Sequence, residues 1–293
     1  MLIVVYKMPY MYGSTSNYFS VVLSSKEQDS GENMTERRIQ TKKETERYYR
    51  KTAVIVGALF IIATASSLAT APLLIPALEG SDYVLELPDI KNEMVIAAML
   101  ETILAVSLVG IGTLMFPILR RHVEGLGMAY AGIRLVEAIF IVVGTVCLLG
   151  ALSTGQDYAA GRLDATSSQS MGALLISLRE WSVLFGTMIF LGLGGLVLNY
   201  SLYQSRLVPR WLSAWGLVGG VGILTYGAIG LFGTDTQSSF DAASILAAPI
   251  AIQEMVFASW LIVKGFNAPT DTTASGNRTA MKSDSLSAGS TSG

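Results

Sequence analysis

Six long apolar stretches, separated by short polar segments, dominate the pattern of this chain between residues 52 and 264. Each is close to the roughly 20 residues that a helix needs to cross the hydrocarbon core of a bilayer. They cover residues 52–75, 94–118, 126–150, 172–203, 211–232 and 242–264. Glu254 and Pro249 interrupt the sixth. The pattern predicts an all-α polytopic membrane protein, built as a bundle of six transmembrane helices.

Charged residues lie inside these apolar stretches, although a charge at the bilayer centre costs roughly 2.5–3.5 kcal/mol even on the lenient insertion scale. Such side chains therefore face the interior of a helix bundle or a wet cavity, where they pair or bind a ligand. They are four acids and two bases: Glu101, Arg134, Glu137, Arg179, Glu180 and Glu254. These six positions mark the candidate site.

The charged positions share helix faces with small residues. In the second stretch, Glu101 lies one turn from Ala97 and one turn from Ala105. In the sixth, Glu254 lies one turn before Ala258. Because small residues let helix backbones approach closely in lipid, these faces are predicted to pack against other helices.

Depth along each helix sorts the charges into two groups. The predicted central polar site consists of Arg134, Glu137, Glu254 and the neighbouring Gln253. The predicted outer polar cluster consists of Glu101, Arg179 and Glu180. We expect salt bridges from Arg134 to Glu254 and from Arg179 to Glu101. In the fifth stretch, Gly216 and Gly220 form a close-packing motif, which we interpret as a contact within the bundle.

Basic residues in the loops predict the orientation. With six spans, fourteen Lys and Arg side chains fall on one side of the membrane and two, Lys91 and Arg162, on the other. This bias predicts that both termini are cytoplasmic, in the cell membrane of a prokaryote. The predicted domains are a cytoplasmic segment, 1–51, basic from residue 37; a membrane domain, 52–266; and a disordered cytoplasmic tail, 267–293. We expect the native chain to start at Met34, without residues 1–33.

Composition narrows the classes of function. Hydrophobic residues make up 51% of the chain and charged ones 14%, against about 25% charged in soluble domains. The net charge of −2 argues against nucleic acid as a partner. A single cysteine, Cys147, and a single histidine, His122, exclude an internal disulfide and multi-histidine metal sites. We therefore predict no metal, no cofactor and the lipid bilayer as partner, with a small solute or a proton as the candidate ligand. The oligomeric state is left open.

Three segments carry a family resemblance: 116–138 (FPILRRHVEGLGMAYAGIRLVEA), 208–217 (VPRWLSAWGL) and 252–267 (IQEMVFASWLIVKGFN). In order and spacing they resemble the prokaryotic multi-pass membrane proteins grouped as domain of unknown function 4386. The resemblance covers roughly residues 47–268 and implies an all-helical membrane bundle without assigning an activity. Its signature positions correspond to Arg134, Glu137, Trp211, Gln253, Glu254, Lys264, Gly265 and Phe266. Val208-Pro209 stands where the family usually has Leu-Pro.

Three functions fit these observations. The first is a bundle for permeation or sensing of a small solute, or of protons, which uses Arg134, Glu137 and Glu254. The second is a structural or partner-binding membrane protein, in which the buried charges only fix helix packing. The third is an intramembrane enzyme that uses paired carboxylates, which is disfavoured because the sequence lacks a nucleophile motif and histidine ligands. A cavity that reaches the charged residues would separate the first and third from the second.

Overall fold

The computed structural model describes residues 15–74, 83–232 and 240–267, and within these ranges it holds helices and turns but no strand. The helices are α1 (Thr15–Leu74), α2 (Tyr83–Glu86), α3 (Lys91–Arg120), α4 (Glu124–Ala159), α5 (Ala165–Val183), α6 (Leu191–Ser205), α7 (Arg210–Leu231) and α8 (Phe240–Val263). A 3₁₀ turn, Leu87–Ile90, joins α2 to α3, and a π-helical segment, Leu184–Phe190, joins α5 to α6. The predicted all-α fold class is confirmed for these residues.

The chain divides into two units, Met1–Tyr48 and Tyr49–Gly293. In the first unit residues 15–48 are helical, and the side chains of residues 39–48 are exposed apart from the half-buried Thr45. All of the residues predicted to form the site belong to the second unit. The predicted disordered tail lies outside the described residues beyond Asn267, and so does the chain before residue 15.

Five helical stretches are long and apolar enough to cross a membrane: Ile39–Leu74, Val84–Arg120, Gly125–Ala159, Ala165–Ser205 and Arg210–Leu231. They correspond to the first five apolar stretches of the sequence. The sixth stretch falls in α8, whose apolar part among the described residues, Ala248–Val263, is shorter. Five helices therefore have the length and composition of membrane-spanning helices, and a sixth membrane crossing by α8 stays a prediction.

Helix α4 is the centre of the second unit. It packs against α3, α5, α6 and the π-helical segment, while α7 packs between α6 and α8. Helix α1 meets α8 at Gly57, where a Cβ atom would lie 2.7 Å from the backbone oxygen of Ala258. Glycine is needed at that position because the two backbones are nearly in contact. The interior of this bundle holds charged residues of α3, α4, α5 and α8, namely Glu101, Arg134, Glu137, Arg179 and Glu254.

Apolar side chains form a cluster at each end of the bundle. The larger one includes Tyr49, Phe60, Ile118, Leu119, Tyr130, Leu202, Leu212, Phe257 and Leu261. The smaller one includes Leu74, Leu87, Met94, Leu148, Leu152 and Ile176. On α1 the two clusters are separated by the turns between Phe60 and Leu74, and these turns border the candidate site.

The end of α8 is fixed by its backbone and by a side chain of α1. Gly265 has a φ of +76°, and its N–H donates to the carbonyl of Leu261 at 3.1 Å, which is a common way to end a helix. Arg50 donates to the carbonyls of Leu261 and Ile262 at 3.2 and 2.7 Å, where a cation also complements the helix dipole. These contacts hold α8, which carries Glu254, against α1.

Candidate functional site

Helix α4 places Arg134 and Glu137 on one face, because residues three apart on a helix are neighbours. At this level α3 approaches α4 closely, since a Cβ atom on Gly112 would lie 3.0 Å from the Cβ of Arg134. Arg134 is 1% exposed and is among the largest fully buried side chains of the described chain. Its guanidinium is therefore held inside the bundle rather than at a helix end.

Arg134 binds both predicted carboxylates. Its Nη1 lies 3.0 Å from Glu137 Oε2 and 3.2 Å from Oε1, and its Nη2 lies 3.2 Å from Glu254 Oε1. Its Nε donates to the hydroxyl of Tyr130 at 3.0 Å. We call Arg134, Glu137 and Glu254 the Arg134 cluster. The predicted salt bridge between Arg134 and Glu254 is confirmed by this geometry.

Two aromatic rings flank the same guanidinium. The Cζ atom of Arg134 lies 5.6 Å from the ring centre of Phe60 and 5.4 Å from that of Tyr130, within the range of cation–π attraction. Because the rings come from α1 and α4, they hold the guanidinium between two helices while Glu254 approaches from a third, α8. The arginine is thus fixed in place before any ligand is considered.

A cavity of about 200 Å³ reaches the Arg134 cluster. Its lining includes all three charged residues together with hydroxyl side chains of α1 and the π-helical segment. The rest of the lining is apolar: Phe60, Ala63, Leu68, Leu104, Leu108, Ile141, Met188, Leu191, Ile223, Ile250 and Ala251. Glu254 is the most accessible member of the cluster, with 17% of its side chain exposed against 1% for Arg134. A ligand in the cavity would therefore meet a carboxylate first.

A second buried ion pair joins α3 to α5. Arg179 donates to Glu101, with Nη2 at 2.5 Å from Oε1 and Nη1 at 3.1 Å from Oε2. Thr145 of α4 donates to the same Oε2 at 2.6 Å. We call the ion pair of Glu101 and Arg179, together with the hydroxyl of Thr145, the Arg179 pair. The predicted contact between Glu101 and Arg179 is confirmed, with a hydroxyl as its third member.

The prediction that Glu180 belongs to this buried cluster is wrong. Arg179 is buried and Glu180 is exposed, because consecutive residues of a helix point about 100° apart. Only one of the two can face α3. The Arg179 pair therefore balances one acid with one base, where the sequence predicted two acids.

Gln253 also lies apart from the Arg134 cluster. It is buried, and its amide donates to Asn199 Oδ1 of α6 at 3.1 Å and to the carbonyl of Leu212 of α7 at 3.4 Å. Since Gln253 precedes Glu254 on α8, it faces a different side of that helix. The sequence placed the two together in one polar site, and the structure assigns them to two separate contacts.

The two glycines predicted to pack do so inside the bundle. A Cβ atom on Gly216 would lie 2.2 Å from the side chain of Asn199, and one on Gly220 would lie 2.9 Å from Leu196. Both neighbours belong to α6, so the motif brings α7 onto α6 of the same chain. This confirms the interpretation of Gly216 and Gly220 as an internal contact.

Four side chains of these contacts were not identified from the sequence: Phe60, Tyr130, Thr145 and Asn199. Tyr130 stands four residues before Arg134, which is a spacing that puts both on one helix face. Asn199 is an amide within an apolar stretch, which is itself a signal of an internal hydrogen bond. Phe60 had no such signal, because one phenylalanine among many apolar residues carries no mark of its partner.

The chemistry available to the Arg134 cluster is that of two carboxylates sharing one cation. Among the described residues no group of three or more His, Cys, Asp or Glu side chains could hold a metal ion. With both acids ionised, the cluster has one negative charge in excess of its base. Such an arrangement can exchange a proton or accept a bound cation.

Comparison with known proteins identifies a family. Residues 55–265 match the family model described as domain of unknown function (DUF4386). This match covers well over half of the 293 residues of the chain. No curated protein and no solved structure matches the chain. The matched region contains both the Arg134 cluster and the Arg179 pair. The resemblance carried by the three sequence segments is thereby confirmed.

Proposed function

Because this chain belongs to the DUF4386 family, whose description assigns no activity, we propose its function from the Arg134 cluster: proton-linked permeation or sensing of a small solute. The observation that carries this proposal is the cavity of about 200 Å³ with one base and two acids in its wall. A solute in the cavity and a proton on a carboxyl would compete for the same excess charge. Binding of either would then change the affinity for the other.

A purely structural role is better supported for the Arg179 pair than for the Arg134 cluster. Glu101 and Arg179 are balanced one to one, and neither belongs to the lining of the cavity. An ion pair of this kind fixes the register of α3 against α5. We therefore propose the proton-linked function for the Arg134 cluster and the structural role for the Arg179 pair of the same bundle.

Infrared spectroscopy of the purified full-length protein tests the proton-linked function. Glu254→Gln removes the ionisable group that is most accessible from the cavity, and we expect it to remove a carboxyl band that changes between acidic and neutral pH. Glu180→Gln is the matched control, because it makes the same chemical change on an exposed side chain. It should leave the carboxyl band of Glu254 in place. A pH-dependent spectrum that is identical in wild type and Glu254→Gln would exclude Glu254 as the site.

The proposal includes six membrane crossings, both termini in the cytoplasm and a location in a prokaryotic cell membrane. The positive-inside bias supports it, and so does α8, which follows the five helices that are long and apolar enough to cross a membrane. A reporter fused after Asn267 should be active in the cytoplasm, and one inserted near Gln156 should be active outside. A reporter after Asn267 that is active outside would mean an odd number of crossings, with α8 as the helix that fails to cross.

A further inference from the structure

The charges that face Glu254 do not cancel. Among the residues that the structure describes, Arg134 is the single base beside Glu254, and it is shared with Glu137, while Tyr130 is the remaining titratable group there. The described cavity residues from α1, α3, α7 and the π-helical segment carry no charge. In low-dielectric surroundings the excess negative charge must be neutralised by a proton or by a bound cation.

Hydrogen bonding around the cluster disfavours an anionic ligand. Each of the three nitrogen atoms of Arg134 already donates within the protein: Nε to Tyr130, Nη1 to Glu137 and Nη2 to Glu254. A carboxylate or phosphate would be limited to the N–H of Nη2 that does not donate to Glu254, and it would lie beside two carboxylates. Glu254, in contrast, accepts through Oε1, and its Oε2 has no hydrogen bond from the described residues. The open position at the cluster is therefore an acceptor.

The walls of the cavity select the remainder of the ligand. Leu104 and Leu108 of α3, Ile223 of α7 and Ile250 of α8 present hydrocarbon. A hydrated metal ion would leave these walls uncovered. An apolar cavity of about 150 Å³ is large enough for benzene, so the present cavity of about 200 Å³ accommodates a six-membered ring with one substituent.

We propose that the cavity binds a small apolar amine in its ammonium form, with the ammonium donating to Glu254 in place of a proton. The hydrocarbon part of the amine lies against the walls of α3, α7 and α8. Binding transfers no electrons and breaks no covalent bond other than O–H: the carboxyl releases its proton to solvent, and the ammonium takes its position. This assignment rests on the proposed proton-linked function and names the class of solute.

The rim of the cavity fits an apolar amine as well. Ser67 and Leu68 of α1 and Ala251 of α8 line the cavity and are exposed on the outside of the bundle. These helices are the ones expected to contact lipid at this level. An amine that partitions into the hydrocarbon region of the bilayer can therefore reach Glu254 between α1 and α8.

Calorimetric titration of the full-length protein in detergent tests the assignment with two ring compounds of the same shape. Cyclohexylamine carries an ammonium, and cyclohexanol carries a neutral hydroxyl, with empty micelles as the blank. We expect cyclohexylamine to bind more tightly, and its Kd to rise by up to about tenfold for each unit by which pH falls in the acidic range. Glu254→Gln should raise the Kd for cyclohexylamine about tenfold or more and change that for cyclohexanol little.

Ala251→Phe provides a second variant that keeps every charge. Ala251 lies one turn from Glu254 and is exposed, so a larger side chain there can fill the cavity without disturbing the Arg134 cluster. We expect it to weaken binding of both ring compounds while the carboxyl infrared band of the protein stays pH-dependent. This variant keeps the test valid even if Glu254→Gln does not fold.

Equal binding of the amine and the alcohol, or absence of amine binding, would overturn the assignment. If the carboxyl band still responds to pH in either case, the proposed proton-linked function survives and only the solute class is wrong. If Glu254 shows no response to pH, the proposed function itself fails, and the exchange of amine for proton fails with it. Amine binding that is selective, pH-dependent and lost in Glu254→Gln supports both.

Discussion

The Arg134 cluster and the Arg179 pair are built from the same types of charged residue, arginine and glutamate. They differ in the ratio of acids to bases and in whether a cavity reaches them. The Arg179 pair sets one acid against one base, and the hydroxyl of Thr145 completes the contact. The Arg134 cluster sets two acids against one base beside a cavity. Along α4 the two are about 12 Å apart, measured from Glu137 to Thr145 at 1.5 Å per residue.

The difference shows what distinguishes a structural ion pair from a candidate binding site within one bundle. Burial does not distinguish them, because Arg134 and Arg179 are both buried. The excess of acids over bases does distinguish them, because it leaves a carboxylate oxygen that a proton or a ligand can occupy. Five experiments on stability follow from this comparison.

The largest effect is expected from Arg134→Ala, which leaves Glu137 and Glu254 together without their base. Removing one partner of a buried ion pair costs about 3–5 kcal/mol, and here two acids lose it. The free energy of unfolding in detergent and the yield of folded protein should both fall. The double change Arg134→Ala, Glu254→Ala should recover part of the loss. Arg162→Ala is the control, because that arginine forms an exposed pair with Asp157.

Arg179→Ala is expected to cost about 3 kcal/mol, because it leaves the single acid Glu101 buried between α3 and α5. Adding Glu101→Ala should restore most of that stability, since no further acid remains in the pair. The same unfolding measurement gives the recovered fraction. A recovery no greater than that of the Arg134→Ala, Glu254→Ala double variant would contradict the contrast between balanced and unbalanced groups.

The variants Glu254→Gln and Glu101→Gln should differ in their free energy of unfolding by about 2 kcal/mol or more. Glu254→Gln leaves Arg134 paired with Glu137 through two hydrogen bonds, so the protein should lose little stability. Glu101→Gln leaves Arg179 without a counter-charge, so the loss should be larger. Thermal unfolding of both purified variants in one detergent compares them directly. Equal losses would mean that the excess acid of the Arg134 cluster is needed for folding.

Thr145→Val should cost about 1 kcal/mol, because it removes the hydroxyl that donates to Glu101 while keeping the shape of the side chain. Thr113→Val is the control: the hydroxyl of Thr113 donates to the carbonyl of Val109 within α3 and is exposed. Chemical unfolding curves of both variants measure the difference. If Thr113→Val costs as much, the contact of Thr145 with Glu101 contributes nothing specific.

The smallest effect concerns Asp164, which caps the helix that carries Arg179. Its carboxylate accepts from the Ser167 N–H at 3.0 Å and from the Ser167 hydroxyl at 2.7 Å, and these bonds lower its pKa. Because the folded pKa is lowered, the stabilisation is present above the usual range of an aspartate and is lost as pH falls through the lowered pKa. Asp164→Asn should keep the cap but remove this slight dependence, which is measurable as unfolding midpoints across acidic pH.

The sequence predicted the helices and both ion pairs for identifiable reasons. Apolar stretches of bilayer length define helices, and buried charges must find partners. Arg134 and Glu137 share a face by spacing alone, and Glu254 was matched to them by depth. The depth argument could not separate Arg179 from Glu180, because adjacent residues have almost the same depth and differ only in direction.

The remaining features depend on contacts between distant segments. Gln253 bonds to Asn199 rather than joining the Arg134 cluster, because α6 and α7 meet α8 on that side. The cavity exists only where α1, α3, α4, α7 and α8 fail to fill the space between them, which no local pattern encodes. The sequence could therefore locate the charges but not the space beside them.

The π-helical segment Leu184–Phe190 acts as a phase adjustment within one continuous helix from α5 to α6. Its wider turns hold more residues than α-helical turns, while each residue of an α-helix advances by about 100°. Closing all seven residues of this segment as an α-helix would rotate α5 relative to α6 by roughly that angle, which is the angle between Arg179 and Glu180, and deleting one residue at the same time would largely cancel the rotation. The wider winding of this segment, rather than any side chain in it, decides which charge of α5 points inward.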